Sequence, residues 1–161
     1  MGIFGNIKKR FISESDKINQ SHLRNFYIIA ITGDKVSDED YRFIENLGME
    51  LQLSKTLIYE VFNSGATIKT YKPTHGHVLN KNIFDYIKFA KRNGQITQKE
   101  RTACKMILLE LTSIRESKAL PILDEIIKEV EQEDSIVALT HDRIGRIINH
   151  DYAVQLGIQM D

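Results

Sequence analysis

A short pattern that occurs twice constrains this chain more than any other feature of its sequence. Residues 32–40 read TGDKVSDED and residues 92–100 read RNGQITQKE, and each stretch lies between apolar segments of helical periodicity. Each contains turn residues, a β-branched apolar residue, a Ser or Thr, and an acidic residue three positions later. This order predicts a tight turn that leads into a capped helix. Its duplication predicts two helix–turn–helix units packed against each other.

The two copies assign the same roles to equivalent residues. The hydroxyl groups of Ser37 and Thr97 can accept a hydrogen bond from a free backbone N–H of the first helical turn. The carboxylates of Asp40 and Glu100 can reach back to the backbone of the cap. Because Glu is the usual partner in this box, we expect the Asp40 version to be the weaker one.

Composition and charge narrow the class of protein. Hydrophobic residues make up 42% of the 161 residues, enough for one folded unit with a core. Lys and Arg together number 22, as do Asp and Glu, so no net field favours nucleic acid as a partner. The single cysteine, Cys104, excludes an internal disulfide, and no apolar run approaches the roughly 20 residues that cross a bilayer. We therefore expect a cytoplasmic protein that does not bind nucleic acid.

The apolar periodicity predicts an all-α fold, a compact helical bundle of about seven helices with two pseudo-symmetric helix–turn–helix halves. A stretch at 66–80 without clear period should cross between the halves, with Asn80 capping the next helix. The predicted helices cover about residues 16–31, 38–51, a shorter segment after Ser54, then 81–91, 98–112, one capped by Ser117, and a last one capped by Thr140.

Three regions follow from this pattern. Residues 1–14 form an amphipathic N-terminal segment, residues 15–132 the helical domain, and residues 133–161 a C-terminal extension that we expect to be helical and docked. Within the first region, residues 1–12 place apolar side chains opposite a basic cluster. Such a segment can fold back on its own core, bind a partner, or contact a membrane surface. It and the C-terminal extension are also the candidate surfaces for a homodimer.

Other arrangements of reactive residues give weaker signals. The pair His75 and His77 has no acid or cysteine beside it, which favours a surface loop over a transition-metal site. An EF-hand calcium loop with Gly94 at its sixth position is disfavoured, because Phe89 would then occupy the first position, which needs an oxygen ligand. Cys104 lies on an apolar helix face and is best interpreted as a buried, inert thiol.

Residues 136–158 carry a few histidines, acids and arginines without a clear site. A DNA-reading helix–turn–helix with Arg143 and Arg146 as contacts is the minor interpretation, since the chain has no basic excess. His141 and Asp142 are neighbours and would point apart on a helix, so we interpret them as cap and surface residues.

The order of motifs resembles that of the TerB-like family. The residues that carry the resemblance are 21–26, which read SHLRNF, the turn at Gly33, the Leu53-Ser54 cap, and the second turn at Asn93. This family, associated with tellurite resistance and bacterial stress functions, shows an Ala-Asp-Gly-x-Ile/Val-Ser/Thr-x-x-Glu turn that is repeated. The resemblance covers about residues 21–112. The present chain departs from the pattern because Gly and Asp are reversed in the first turn and the second has lost the charged residue.

The resemblance implies an all-helical fold of about seven helices with acidic residues near the turns that have been linked to metal binding. It carries over to Asp40 and Glu100, with Asp34 as a displaced candidate. The favoured interpretation is a non-catalytic module that binds a protein partner in a bacterial stress-response or defence setting, without a cofactor. The alternative is a divalent metal-binding stress protein that uses Asp34, Asp40 and Glu100. An enzyme has no named residues in its favour.

Overall fold

The computed structural model describes residues 12–33, 36–132 and 135–157. This part of the chain contains seven α-helices, one short 3₁₀ turn and no strand, so the predicted all-α bundle is confirmed. The helices are α1 (Glu14–Thr32), α2 (Asp38–Glu50), α3 (Lys55–Ser64), α4 (Gly76–Ala90), α5 (Gln98–Leu111), α6 (Glu116–Glu131) and α7 (Val137–Gln155); the 3₁₀ turn covers Gly65–Thr67. None of the described helices is long and apolar enough to cross a bilayer.

Helix α1 is the central element of the bundle. It packs against α2, α3, α4 and α5, while α6 and α7 pack on each other and on α4. Its buried side chains surround the helix, as a sequence that is apolar over so much of its circumference predicts. The pairs α1–α2 and α4–α5 are the two predicted helix–turn–helix units, and they contact each other through α1.

The predicted capping boxes form at both copies of the duplicated turn. The Ser37 Oγ accepts from the Asp40 N–H at 3.1 Å, and the Thr97 Oγ1 accepts from the Glu100 N–H at the same distance. In return, the acid side chains accept from the backbone N–H of each cap residue. The α3 start is also as predicted, because the Ser54 Oγ accepts from the Leu57 N–H.

Three predicted caps, at Asn80, Ser117 and Thr140, are wrong because each of these residues lies inside its helix. Helix α4 begins at Gly76, and Asn80 lies inside it with its side chain against Gly145 of α7. Helix α6 begins at Glu116 after Arg115, whose backbone N–H donates to the carboxylate of Asp151 on α7.

The third misplaced cap is Thr140, which lies inside α7. Its buried hydroxyl oxygen accepts from Arg143 one turn later. Helix α7 occupies Val137–Gln155 without a break, so the minor interpretation of 136–158 as a helix–turn–helix is wrong over the described residues.

The crossing segment between the halves is irregular but tied to α1. The Tyr71 backbone N–H donates to the Ser21 Oγ at 2.9 Å, and the Arg24 guanidinium donates to Thr70 and to Glu110 of α5. The hydrogen bonds of Thr70 with the buried Arg24 and of Tyr71 with Ser21 therefore hold this part of the segment against α1.

Gly48 marks a close contact between α2 and its neighbours. A glycine within a helix costs about 1 kcal/mol relative to Ala, which indicates a packing reason for its presence. A Cβ atom at this position would lie 2.7 Å from the Cγ1 of Ile58 and 3.1 Å from the Cδ2 of Leu23. The close packing of α1, α2 and α3 therefore depends on the missing side chain.

We expect Gly48→Ala to lower the free energy of unfolding by about 1–3 kcal/mol, because overpacking outweighs the better helix propensity. Gly76→Ala is the matched control, since a Cβ atom there meets no atom within 4 Å. The control should leave stability unchanged or raise it by up to about 1 kcal/mol. Urea unfolding of both variants measures the difference, and equal effects would contradict the packing explanation.

Candidate functional site

The two acids of the duplicated turns meet at one side chain, Arg92. Its Nε and Nη2 donate to the two carboxylate oxygens of Asp40 at 2.7 and 3.2 Å, and its Nη1 donates to Glu100 at 3.0 Å. Nη1 also donates to the backbone carbonyl of Phe89, and the guanidinium lies 4.3 Å from the centre of the Phe89 ring. Arg92 thus joins both capping boxes and fixes the approach of α2 to the α4–α5 turn.

Both carboxylates of this ion cluster lie away from solvent. Asp40 is 5% exposed and Glu100 is 3% exposed, so both carboxylates need charged or polar partners. Burial alone would raise the pKa of Asp40, but hydrogen bonds from Arg92 and the Ser37 backbone, together with the Arg92 charge, outweigh it and lower that pKa. The Asp40 carboxylate therefore stays ionised at neutral pH.

The structure brings together two of the three predicted metal ligands. Asp40 and Glu100 share Arg92, while Asp34 lies outside the described residues. Within the described ranges, no three His, Cys, Asp or Glu side chains are grouped as metal ligands. The Arg92 guanidinium supplies the positive charge between the two carboxylates, and a divalent cation would have to displace it. The metal site on these three acids stays a prediction.

A large cleft opens beside this ion cluster. It has a volume of about 930 Å³, with α1 as its floor and α2 and α4 as its walls. Ligand pockets commonly span roughly 300–1,000 Å³, so this cleft is larger than a packing defect. Its principal lining residues are Ile18, His22 and Phe26 from α1; Phe43, Leu47 and Leu51 from the α2 side; and Val78, Lys81, Asp85, Lys88, Phe89 and Arg92 from the α4 side.

Aromatic rings form the apolar surface at the Arg92 end of the cleft. Phe26 is 1% exposed and packs edge-to-face on Phe43, Tyr86 and Phe89, with ring centres 5.0 to 5.3 Å apart. Phe43 stacks on Phe89 at 5.0 Å and remains 44% exposed. An aromatic residue that is rigidly packed yet open to solvent is typical of binding surfaces.

Two polar side chains, His22 and Tyr86, lie among these aromatic rings. The Tyr86 hydroxyl accepts from the Asn25 side chain at 3.0 Å, so its own proton is available to His22 Nδ1 at 2.6 Å. When the Tyr86 hydroxyl donates to Nδ1, the proton of the neutral His22 ring lies on Nε2. Burial, and to a lesser extent the positive charge of Lys81, lowers the pKa of His22 to about 4. Burial raises the pKa of Tyr86 above its usual value. His22 is therefore a neutral hydrogen-bonding group at neutral pH.

The rim of the cleft carries both signs of charge. Lys81 pairs with Asp85 at 2.6 Å, and Lys88 lies over the ring of Phe84. Exposed carboxylates of Glu39 and Glu50 stand at opposite ends of α2. An apolar floor with a charged rim matches the general anatomy of a protein interface.

The remaining candidate residues lie away from the cleft. His75 and His77 are exposed and their rings stack 5.5 Å apart; His75 lies in the loop that precedes α4, as predicted, whereas His77 lies in the first turn of the helix. Cys104 is buried, and burial raises the pKa of its thiol to about 12, in agreement with an inert thiol. His141 packs edge-to-face on Phe84.

The comparisons with known proteins add no family. No family model, curated protein or solved structure matches this chain. The resemblance to the TerB-like family therefore depends on the short motifs quoted above.

Sequence reasoning missed the two residues that organise the site, His22 and Arg92. Both stand in stretches that were singled out, but Asp40 lies 52 residues from Arg92 and Tyr86 lies 64 residues from His22. The spacing of His22 and Phe26, one helical turn apart on a buried helix, is the local signal that places the imidazole among apolar side chains.

Proposed function

We propose that this chain is a non-catalytic helical module of TerB-like type that binds a protein partner through the cleft between α2 and α4. The observation that carries the proposal is the exposed Phe43 ring above a rigid aromatic floor in a cleft of about 930 Å³. Apolar grooves between helices take up amphipathic helices, whose apolar face fills the groove while the polar face stays in water. The stress-response or defence setting derives from the family resemblance alone.

The polar groups of the cleft support binding more than chemistry. His22 is held by Tyr86, Asp40 by Arg92, and Asp85 by Lys81. Each group is already fixed by a partner within the fold, which suits a preorganised recognition surface. A general base or nucleophile would instead need a free group poised toward a substrate.

A photo-crosslinking amino acid at position 43 tests this function in cells of the source organism. We expect benzoylphenylalanine in place of Phe43 to give a discrete intermolecular adduct with another protein. The matched control is the same amino acid in place of Tyr59, an aromatic residue that is 62% exposed on α3 and does not line the cleft. Thermal melting of both purified variants checks that they are folded.

The identity of the crosslinked protein follows from mass spectrometry of the adduct. An adduct specific to position 43 supports the proposal. The same adducts from both positions, or no intermolecular adduct from position 43, would contradict it.

A further inference from the structure

We propose that the partner helix in the α2–α4 cleft carries basic side chains along the flank that faces α2 and acidic side chains along the flank that faces α4. This inference rests on the proposed binding function and names the chemistry of the partner at the same site. The observation behind it is the sign of the unpaired charge on each wall of the cleft.

Four of the charged side chains that line the cleft are held in two ion pairs. Lys81 pairs with Asp85 at 2.6 Å along α4. Arg92 pairs with Asp40 at 2.7 Å and is shared with Glu100, so its guanidinium presents no free positive charge to an occupant. These four side chains therefore add little to the charge that a partner helix meets.

The charged lining residues that remain differ in sign between the two walls. Glu39 and Glu50 belong to α2 and Lys88 belongs to α4, and all three side chains are exposed. Within the ranges that the structure describes, none of the three forms an ion pair, and the Lys88 ammonium lies 5.7 Å from the centre of the Phe84 ring. A helix in the cleft therefore meets an acidic wall on one side and a basic wall on the other.

The spacing of the two glutamates sets the length of the partner. Glu39 and Glu50 are separated by close to three helical turns, or about 16 Å, so their side chains leave the same face of α2. Phe43 and Leu47 line the cleft between them. A partner helix of about three turns can thus place a basic residue at each end of one flank while its apolar stripe covers Phe43 and Leu47.

The position of Lys88 sets the other flank. Phe43 stacks on Phe89, which shows that these two residues lie at the same level of the cleft. Lys88 precedes Phe89, so it stands across the cleft between the levels of the two glutamates. An acidic residue near the middle of the second flank would meet it. Reversing such a helix would bring like charges together on both walls, so this arrangement selects one direction of the partner chain.

Selection from a displayed library of helical peptides on the full chain tests the inference. The probe is a set of four-turn peptides in which the apolar stripe varies among Leu, Ile, Met and Phe, and the flank positions vary among Lys, Glu and Gln. We expect selected peptides to carry Lys on one flank and Glu on the other, with about threefold enrichment for each charged position, as an exposed ion pair provides.

Two wall variants change the expected pattern in opposite ways. Lys88→Glu makes both walls acidic and should select Lys on both flanks. The double variant Glu39→Lys, Glu50→Lys makes both walls basic and should select Glu on both flanks. Glu45→Lys is the matched control, because Glu45 is exposed on α2 but does not line the cleft, and it should retain the native pattern. Thermal melting of each variant checks that it is folded.

The outcomes separate this inference from its alternatives. The same selected pattern on the native chain and on both wall variants, or no selected peptide at all, would overturn it. Light scattering that shows a native dimer, lost in the double glutamate variant, would overturn it in favour of a second copy as the occupant. The crosslink from position 43 decides the proposed function separately, since an adduct in cells without any charge preference in the selection would overturn only the present inference.

Discussion

Replacing Arg92 with Met should lower the free energy of unfolding by about 3–5 kcal/mol. The substitution leaves the buried carboxylates of Asp40 and Glu100 facing each other without a positive charge, which is the costly way to break a buried ion pair. Urea unfolding followed by circular dichroism at pH 7 measures the loss. Arg101→Met is the matched control, because Arg101 makes a similar two-oxygen contact with Asp124 at the surface.

Arg101→Met should lower the free energy of unfolding by no more than about 1 kcal/mol, which is typical for the loss of an exposed ion pair. The difference in the free energy of unfolding between Arg92→Met and the native chain should also become smaller as the pH falls below about 4. In the native chain the lowered pKa of Asp40 means that its stabilising contribution is present above the unfolded-state pKa and lost as pH falls through the folded-state value. Comparable losses in both arginine variants would show that the cluster does not hold the two turns together.

Acidification from pH 7 to pH 4 should lower the free energy of unfolding by about 3 kcal/mol through His22 alone. Its pKa is near 6.5 in the unfolded chain and about 4 in the folded one, so between these values the unfolded state binds more protons. The contribution of His22 to the free energy of unfolding is therefore fully present above about pH 6.5 and is lost progressively as the pH falls toward 4. Asp40 loses its contribution only at lower pH, which separates the two effects.

His22→Gln tests this assignment, because glutamine can accept from the Tyr86 hydroxyl but does not titrate. We expect the variant to show a much flatter dependence of stability on pH between 7 and 4. His150→Gln, at an exposed position on α7, should retain the native slope. If His22→Gln keeps the native slope as well, another group carries the pH dependence.

Local patterns account for the parts of the fold that the sequence predicted well. The Ser37, Thr97 and Ser54 caps involve residues three positions apart. A short stretch of chain therefore determines their geometry. Gly48 is also interpretable from sequence, because a glycine that costs helix propensity indicates close packing.

The errors and omissions of the sequence-based prediction involve contacts that a short stretch of chain does not contain. Asn80 and Ser117 are residue types that commonly cap helices, but both lie inside their helices, where Asn80 packs beside Gly145 of α7. Arg92 and His22 gain their roles from partners more than 50 residues away. The cleft could not be predicted either, since it is a space between α2 and α4 and no single segment encodes it.

Arg92 couples the two halves of the bundle because it binds one acid from each duplicated turn. If the α4–α5 turn opens, Asp40 loses its counter-ion; if the α1–α2 turn opens, Arg92 keeps Glu100 and loses Asp40. Opening of either turn therefore breaks the Arg92–Asp40 pair, and we expect the repeated units to unfold in one cooperative step instead of as two tandem repeats in succession.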